Sequence, residues 1–510
     1  MSLTHPGRSA AAPAAAPAIP PDTATAPPHR HRRLIVGAML VSTFMAAVEV
    51  TVISTAMPTI VGQLGGFELF TWAFGIYLLS QAVMTPIYGR MADQYGRRRV
   101  YIGSVLVFLL GSLLCGCAWS MGSLIAFRAL QGLGGGALVP MANVIISDVT
   151  PPADRPRILG YVSGVWGIAA IVGPLLGSFF VGTLGWPFVF WVNLPIGLLT
   201  TALVARYLHE PMAAGPRAPI DLAGAGLLAL GVGAVMAALV QHESFSPAGL
   251  VLTVAAGLLS LAGFAARDRR AEIPILPLHL WRNPMLAAGN LSALLCGMLL
   301  IGATAFLPSW TEGVMGRTAL AAGVVLGVLT VSWTVASICV SRVLNRLPYR
   351  PVALAGSVCL MLGSAGFALL RPGYGVGWVA LASSLAGVGL GLHALVFNVA
   401  IQTGTGREDR GRATSLYFFC RLLGQALGAA AFGGVLNAGL TRAGPAAHDA
   451  VRDLIEPAHR LALPPAALAR LTEALGGALH GVFLLGAGAA ALTLLAVLLV
   501  PRGARLSQGG

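Results

Sequence analysis

Long apolar runs alternate with short polar segments along almost the whole chain after its N-terminal tail. Each run is long enough to cross a bilayer as a helix, which takes about 20 apolar residues. The runs are continuous rather than alternating residue by residue, and this favours helices over the strands of a barrel. The pattern predicts an all-α integral membrane protein with fourteen spans, at residues 34–57, 69–89, 100–119, 122–148, 157–182, 187–207, 221–241, 248–266, 285–309, 319–341, 350–370, 375–402, 411–440 and 476–500.

Arginines are concentrated in every second loop between these runs. These loops contain Arg90, Arg97, Arg98, Arg99, Arg155, Arg157, Arg206, Arg217, Arg267, Arg269, Arg270, Arg282, Arg342, Arg346, Arg350, Arg407, Arg410 and Arg412. Arginine-rich loops stay in the cytoplasm, so we expect a multi-pass inner-membrane protein with both termini cytoplasmic. The exception is a loop at 441–475, where acidic residues balance the arginines.

The composition agrees with a membrane protein and excludes several other classes. Only 10% of the residues are charged, whereas soluble globular chains carry about 25%. A net charge of +14 would suggest nucleic acid in a soluble protein, but the arginines lie in loops, so we expect no nucleic-acid partner. The six cysteines fall inside predicted spans, which argues against disulfides and zinc. We expect no metal and no cofactor.

The loop between the second and third runs has an unusual charge pattern. It contains Gly89, Asp93, Gly96, Arg97 and Arg98, followed by Arg99. The arginines alone would anchor the loop in the cytoplasm. Asp93 is not needed for that purpose, so the loop is either a plain topology anchor or a specific ion-pair arrangement that gates the protein.

The loop at 341–350 echoes this pattern, with Asn345 in the place of Asp93 and Pro348 in the place of Gly96. Such an internal repeat is typical of transporters built from two related helix bundles. We therefore predict two six-helix bundles separated by two inserted helices. The predicted parts are a disordered cytoplasmic tail at 1–33, a bundle at 34–207, a linker with two spans at 208–284, a bundle at 285–500 with an outer loop at 441–475, and a cytoplasmic tail at 501–510.

Two ionisable residues lie inside predicted spans of the first half. Arg128 costs at least about 2.5–3.5 kcal/mol to insert, so it needs partners, and Gln131 lies one turn further on. Glu49 lies about 22 Å from the cytoplasmic start of its run, and Arg128 about 9 Å from the outer start of its own. Both therefore lie at a similar depth. The two residues form either a static buried ion pair or an acid that exchanges protons beside an arginine.

The fifth run combines small residues with a proline. Gly164, Gly173, Pro174 and Gly177 predict a helix that packs closely against its neighbours and bends. Packing alone explains the glycines but not their coincidence with the other motifs.

These three stretches, in their order and spacing, resemble motifs of the major facilitator superfamily. With fourteen spans, the chain resembles its fourteen-helix drug:proton antiporters. Stretches 186–195, 307–314 and 421–428 are also similar to that family. The chain departs from the family in Glu49, where an aspartate is usual, and in Glu312, where a glutamine is usual. The resemblance implies that Asp93 meets the N-terminal end of the thirteenth span, near residues 411–414.

The resemblance also implies a function, which is proton-driven export of amphipathic small molecules or drugs by alternating access. Glu49, Arg128 and Gln131 would couple protons, and a cationic substrate would compete with the proton for the same cavity. The candidate cavity residues are Asn290, Glu312, His393, Asn398 and Arg421. His393 is either a proton relay or a packing residue.

Several alternatives stay open. The chain could export or take up one endogenous metabolite with protons. An integral-membrane enzyme would need a cluster of acids, histidines or metal ligands at one membrane face, and the sequence has none. We expect the lipid bilayer, a small-molecule substrate and protons as partners, and a monomer, with or without a periplasmic adaptor.

Overall fold

The computed structural model describes residues 29–65, 69–151, 154–209, 221–240, 245–271, 274–276, 278–344, 347–405, 410–442 and 464–501. These residues are helical apart from short turns. The helices are α1 His29–Leu64, α2 Phe70–Tyr95, α3 Arg97–Gly116, α4 Met121–Gly135, α5 Leu138–Val149, α6 Arg155–Thr183, α7 Phe188–Trp191, α8 Asn193–Tyr207, α9 Leu222–Val240, α10 Pro247–Arg270, α11 Pro284–Ser309, α12 Ala319–Val343, α13 Tyr349–Ala368, α14 Val376–Gly404, α15 Arg410–Arg442 and α16 Pro465–Val497.

Twelve stretches of the described chain are long and apolar enough to cross a membrane. In three of them the α-helix is interrupted, or changes to another helix type, within one span. Helices α4 and α5 form one stretch, α7 and α8 form another, and α11 continues into a π-helical turn at Trp310–Val314. Helices α2 and α6 are also long, at 26 and 29 residues. The prediction of an all-helical membrane fold is confirmed, while the count of fourteen spans stays a prediction.

Two helices begin earlier than the apolar runs indicated. Helix α1 begins at His29, inside the tail predicted for 1–33. This start directly follows the prolines at 27 and 28. Helix α16 begins at Pro465, inside the outer loop predicted for 441–475. Proline is well suited to the first turn of a helix, and the alanine- and leucine-rich residues that follow have high helix propensity. Apolar runs mark only the membrane-buried part of such helices.

The two halves of the chain pack mainly within themselves. In the first half α1 packs against α5, α6 and α8, and α4 packs against α2 and α3. In the second half α11 packs against α15 and α16, and α14 packs against α12 and α13. The halves meet where α2 packs against α15 and where α6 packs against α12.

The pair α9 and α10 lies beside one of these seams, because α9 contacts both α2 and α15. Arg267 of α10 donates from Nε to both carboxylate oxygens of Asp221, at 2.8 Å each. Asp221 also accepts from the backbone N–H of Gly224 at 2.9 Å, which caps the start of α9. These bonds connect the two helices to each other.

One end of the molecule is defined by the turn between α2 and α3, and we call it the α2–α3 end. Gly96 makes this turn with φ of 86°, a conformation that favours glycine. Arg97 forms an ion pair with Asp148 of α5, and Arg98 donates to the carbonyl of Ala205. The predicted gating residues Arg97 and Arg98 thus bind the ends of neighbouring helices of their own half.

Gly89 lies where α2 crosses α15. A Cβ atom at Gly89 would lie 2.8 Å from Cβ of Ser415, so only glycine permits this approach. Ser415 lies near the start of α15, which is the region that the resemblance assigned to Asp93. Asp93 belongs to α2, but its side chain lies outside the described residues.

Candidate functional site

The interior of the first half contains a network of four polar side chains, which we call the Glu49 network: Glu49, Arg128, Gln131 and Asn193. Oε1 of Glu49 accepts from Nη1 of Arg128 at 2.6 Å and from Nε2 of Gln131 at 2.8 Å. Oε2 accepts from Nδ2 of Asn193 at 2.5 Å. All four side chains are buried, so the carboxylate is enclosed by donors from two other helices.

Arg128 has further partners that hold its guanidinium in place. Its Nε donates to the carbonyl of Ala73 at 3.1 Å, and Nη1 also donates to Oε1 of Gln131 at 2.7 Å. The guanidinium carbon lies 4.1 Å from the centre of the Tyr77 ring, in a cation–π contact. Glu49 and Arg128, expected at a similar depth, are therefore in contact, and α2 supports Arg128 from one side.

Gln131 is held from the other side by α3. Its Nε2 donates to Oγ of Ser112 at 2.9 Å. The two helices approach closely there, since a Cβ at Gly111 would lie 2.7 Å from Cβ of Gln131. The glycines at 132, 134 and 136 likewise leave no room for a Cβ against α2 and α3. They act in helix packing, as small residues do in membrane bundles.

Asn193 completes the network and was not among the predicted coupling residues. It begins α8, directly after the short helix α7, and this break turns its amide towards Glu49. Its Oδ1 is buried and has no hydrogen-bond partner among the described residues. In the sequence, Asn193 stands out as an amide inside an apolar, aromatic segment. The segment alone does not show which helix the side chain of Asn193 faces.

Helix α6 lies between the two halves. A Cβ at Gly173 would lie 2.7 Å from Cβ of Thr51 on α1, whose hydroxyl donates to the carbonyl of Ala169 at 3.2 Å. On its other face, Thr334 of α12 donates to the carbonyl of Ser163 at 3.0 Å. Gly164 lies beside Thr334, at 4.0 Å from its methyl group. The glycine-rich helix therefore contacts α1 of its own half and α12 of the other.

The prediction for this helix also included Gly177 and Pro174. Gly177 is buried, and Pro174 has a side chain outside the described residues.

A second polar site is a small cavity in the second half. We call it the Arg421 cavity, and Arg421, His393, Ser292, Trp333, Tyr417 and Phe397 are among the residues that line it. Arg421 is positioned by close packing of α15 on α11. A Cβ at Gly424 would lie 2.7 Å from the carbonyl carbon of Leu294, and a Cβ at Gly297 would lie 3.1 Å from the amide nitrogen of Gln425.

The guanidinium of Arg421 contacts two indole rings. Its carbon is 5.5 Å from the ring centre of Trp166 on α6 and 5.3 Å from that of Trp333 on α12. The cation is therefore contacted by one aromatic ring from each half of the chain. Unlike Arg128, Arg421 retains partial exposure.

The five predicted cavity residues do not form one site. His393 and Arg421 line the same cavity, whereas Asn290 is buried near the start of α11, with Oδ1 unpartnered among the described residues. Glu312 belongs to the π-helical turn that follows α11. Asn398 lies at the seam between the halves. Spans alternate in direction, so similar positions along the sequence can lie at opposite ends of the fold.

Polar contacts join the halves towards the α2–α3 end. Ser147 of α5 donates to Oε1 of Gln402 on α14 at 2.5 Å. Gln402 donates to Oδ1 of Asn398 at 2.9 Å, and Asn398 lies 3.5 Å from Oδ1 of Asn143 on α5. These side chains connect the two halves at that end of the molecule.

Two halves of membrane-crossing helices, with charged side chains inside each half, are typical of membrane transporters. The profile of the Major Facilitator Superfamily matches residues 39–429. Multidrug transporter protein MdtP of Bacillus subtilis is 32% identical over 416 residues, which cover 80% of this chain and 76% of that protein. Multidrug resistance protein 3 of the same organism is 30% identical over 485 residues, which cover 91% of this chain and 94% of that protein.

A solved structure shares the fold. The bacterial homolog of the human lysosomal transporter Spinster, in an inward-facing and unoccupied conformation, has a TM-score of 0.63 and 17% identity. The match covers 94% of this chain and all of that chain. The chain belongs to the Major Facilitator Superfamily, and it is a membrane transporter rather than an enzyme.

Proposed function

We propose that the chain is a proton-coupled antiporter that exports amphipathic small molecules across the inner membrane by alternating access. In this proposal helices α2 and α6 also cross the bilayer, so the chain has fourteen spans and both termini lie in the cytoplasm. The relatives named as multidrug transporters support export of drug-like molecules. The arginine-rich loops support the cytoplasmic assignment of the α2–α3 end.

The observation that carries this proposal is the Glu49 network. An acid inside a membrane bundle is expensive and marks a functional site by default. Glu49 binds donors from α4 and α8 at the same time. A proton on Glu49 removes the charge that attracts Arg128, so protonation weakens the contacts between these helices. Loading and release of the proton would therefore favour different packings of α1, α4 and α8.

Alternating access requires that the halves separate at one end and close at the other. The contacts of Gly89 with Ser415 and of Ser147 with Gln402 keep the α2–α3 end closed in this structure. We assign Asp93 to a latch at this crossing, together with Arg97 and Arg98. A carboxylate near the start of α15 would interact favourably with the positive end of the helix dipole.

The test is dye efflux from proteoliposomes with an imposed proton gradient and a panel of lipophilic dyes. Glu49→Gln cannot lose a proton and should abolish gradient-driven export at matched protein levels. Glu49→Asp keeps an ionisable acid and should retain substantial activity. Glu473→Gln is the matched control, because Glu473 is exposed on α16 and far from the network in sequence. If Glu49→Gln exports uphill at the wild-type rate, coupling lies elsewhere, and Glu312 or His393 becomes the next candidate.

A further inference from the structure

The Arg421 cavity differs from the Glu49 network in one respect that concerns the substrate. In the network, the guanidinium of Arg128 is neutralised by a carboxylate at 2.6 Å. None of the described residues that line the Arg421 cavity is an aspartate or glutamate. The ion pairs of the described chain that the structure resolves do not include Arg421. Its charge is contacted by the rings of Trp166 and Trp333 instead.

Polar groups around the cavity also have unfilled hydrogen-bonding capacity. Oγ of Ser292, Nε1 of Trp333 and Nδ1 of His393 are buried and have no hydrogen-bond partner among the described residues. Such atoms are rare in folded proteins, and each one calls for an explanation. All three residues line the same cavity as Arg421, so their unpartnered atoms lie in the side chains that surround one site.

The donor and acceptor types at the cavity select the ligand. Arginine has five donors, no acceptor and a permanent positive charge, and the indole N–H is also only a donor. A serine hydroxyl donates or accepts, and the role of the free histidine nitrogen depends on the tautomer. Nε2 of His393 lies 3.0 Å from Oγ of Ser357, which leaves Nδ1 for the ligand. The set is rich in donors and carries a net positive charge.

The remaining lining is apolar and aromatic, with Leu300, Leu390, Phe397 and Tyr417. In this structure the space between these side chains holds about one water molecule, so a larger ligand enters only when the halves move apart. Planar carboxylates suit the guanidinium of Arg421, because arginine binds them through two parallel hydrogen bonds. A lipophilic organic anion therefore complements the charge and the apolar lining of this cavity.

We propose that the Arg421 cavity is the substrate site and that it binds lipophilic organic anions, with the carboxylate on Arg421 and the apolar group among the aromatic side chains. This inference rests on the proposed export function, whose substrate class it names. It replaces the cationic substrate expected from Glu49, because Glu49 has both carboxylate oxygens occupied within its own network. Trp166 of the first half contacts Arg421, so the cavity lies next to the other half of the chain.

The experiment measures equilibrium binding to the purified full-length protein in nanodiscs, with empty nanodiscs subtracted. Three probes share one ring system and differ in charge: 1-pyrenebutyrate, 1-pyrenebutanol and a pyrenebutyl-trimethylammonium salt. The wild-type protein should bind the carboxylate about tenfold more tightly than the alcohol, because only the carboxylate forms a charge-assisted hydrogen bond with Arg421. It should bind the cation most weakly. This comparison needs no variant, so a folding defect cannot hide the answer.

Variants then assign the selectivity to Arg421. Arg421→Gln should reduce the affinity for the carboxylate to that for the alcohol, while the affinity for the alcohol stays within about twofold. Arg421→Lys keeps the positive charge but loses the planar guanidinium that binds a carboxylate through two hydrogen bonds. This variant should retain part of the preference for the carboxylate over the alcohol. Arg371→Gln removes an exposed arginine outside the cavity and should leave all three affinities unchanged.

Equal affinity for the three probes, tighter binding of the cation, or an anion preference that survives in Arg421→Gln would each overturn the inference. The outcome is separable from the fate of the export proposal, because binding is measured without a proton gradient. Wild-type protein that prefers the carboxylate probe but shows no gradient-driven efflux would support the anion site and contradict the export proposal.

Discussion

At the scale of single residues, the two interior arginines show how different surroundings give the same side chain different tasks. Arg128 has four kinds of partner: a carboxylate, an amide, a backbone carbonyl and a tyrosine ring. Arg421 has two indole rings and partial exposure. The first arginine is bound in place by its neighbours, and the second remains accessible to a ligand. Both follow from the rule that a charge in a membrane interior needs compensation.

Removal of Arg128 should be more damaging than removal of the whole pair. Arg128→Ala leaves Glu49 buried with only Gln131 and Asn193 as donors, and loss of one partner of a buried pair costs about 3–5 kcal/mol. We expect a clear drop in thermal stability. A second change, Glu49→Gln, removes the uncompensated charge and should restore part of the loss. The measurement is the melting temperature of the purified protein in detergent.

Arg317→Ala is the control for this pair of variants. Arg317 is exposed in the turn before α12, so its loss should shift the melting temperature little. If the double variant is no more stable than Arg128→Ala, then Glu49 carries no uncompensated charge after Arg128 is removed. The ion pair between Glu49 and Arg128 then contributes little to the stability of the protein.

At the scale of elements, close approach of backbones decides where the polar side chains lie. Helix α6 meets α1 at Gly173, helix α15 meets α11 at Gly297 and Gly424, and α4 meets α3 at Gly111. At each crossing a Cβ atom would overlap the neighbouring helix. Small residues at crossings are the usual way to bring membrane helices together. They place Arg421 beside its cavity and Gln131 beside Glu49.

Gly173→Ala tests this role for the glycine-rich helix. The added Cβ would lie 2.7 Å from Cβ of Thr51, so α1 and α6 must move apart, and such overpacking costs about 1–3 kcal/mol. We expect lower thermal stability and slower transport. Gly182→Ala, on the same helix, meets no atom within 4 Å, and alanine favours helix over glycine. This control should be neutral or slightly stabilising. Equal behaviour of the two variants would contradict a packing role for Gly173.

Much of the helical framework could be predicted from sequence, because an apolar run of sufficient length has only one stable form in lipid. The contact between Glu49 and Arg128 could also be predicted, since depth along each span follows from the rise per residue. The role of Asn193 could not, because it depends on the break between α7 and α8. The contact of Trp166 with Arg421 could not be predicted from sequence either, because it depends on how the two halves meet.

At the scale of the whole molecule, the most extensive packing between halves lies on two seams, α2 with α15 and α6 with α12. Towards the α2–α3 end both seams are tight, with Gly89 against Ser415 on one and Gly160 near Ser341 on the other. The polar contacts between α5 and α14 lie towards the same end. Access to the Arg421 cavity from this end therefore requires the halves to separate here.

A reversible crosslink on the second seam tests this requirement. A Cβ at Gly160 would lie 3.8 Å from Cβ of Ser341, which is the mean separation in a disulfide. In a background without the six native cysteines, Gly160→Cys with Ser341→Cys should form a disulfide on oxidation. The bond joins α6 to α12 and holds the α2–α3 end closed, so oxidation should stop dye efflux and a reductant should restore it.

A crosslink within one half separates this effect from general rigidity. The hydroxyls of Ser332 and Ser384 lie 2.9 Å apart between α12 and α14, both in the second half. Ser332→Cys with Ser384→Cys should therefore form a disulfide that leaves the two halves free to move, and efflux should continue after oxidation. Each single cysteine variant should be insensitive to oxidant. If efflux persists when Gly160→Cys and Ser341→Cys are fully crosslinked, transport does not require this end to open, and the rocking of one half against the other is not the mechanism.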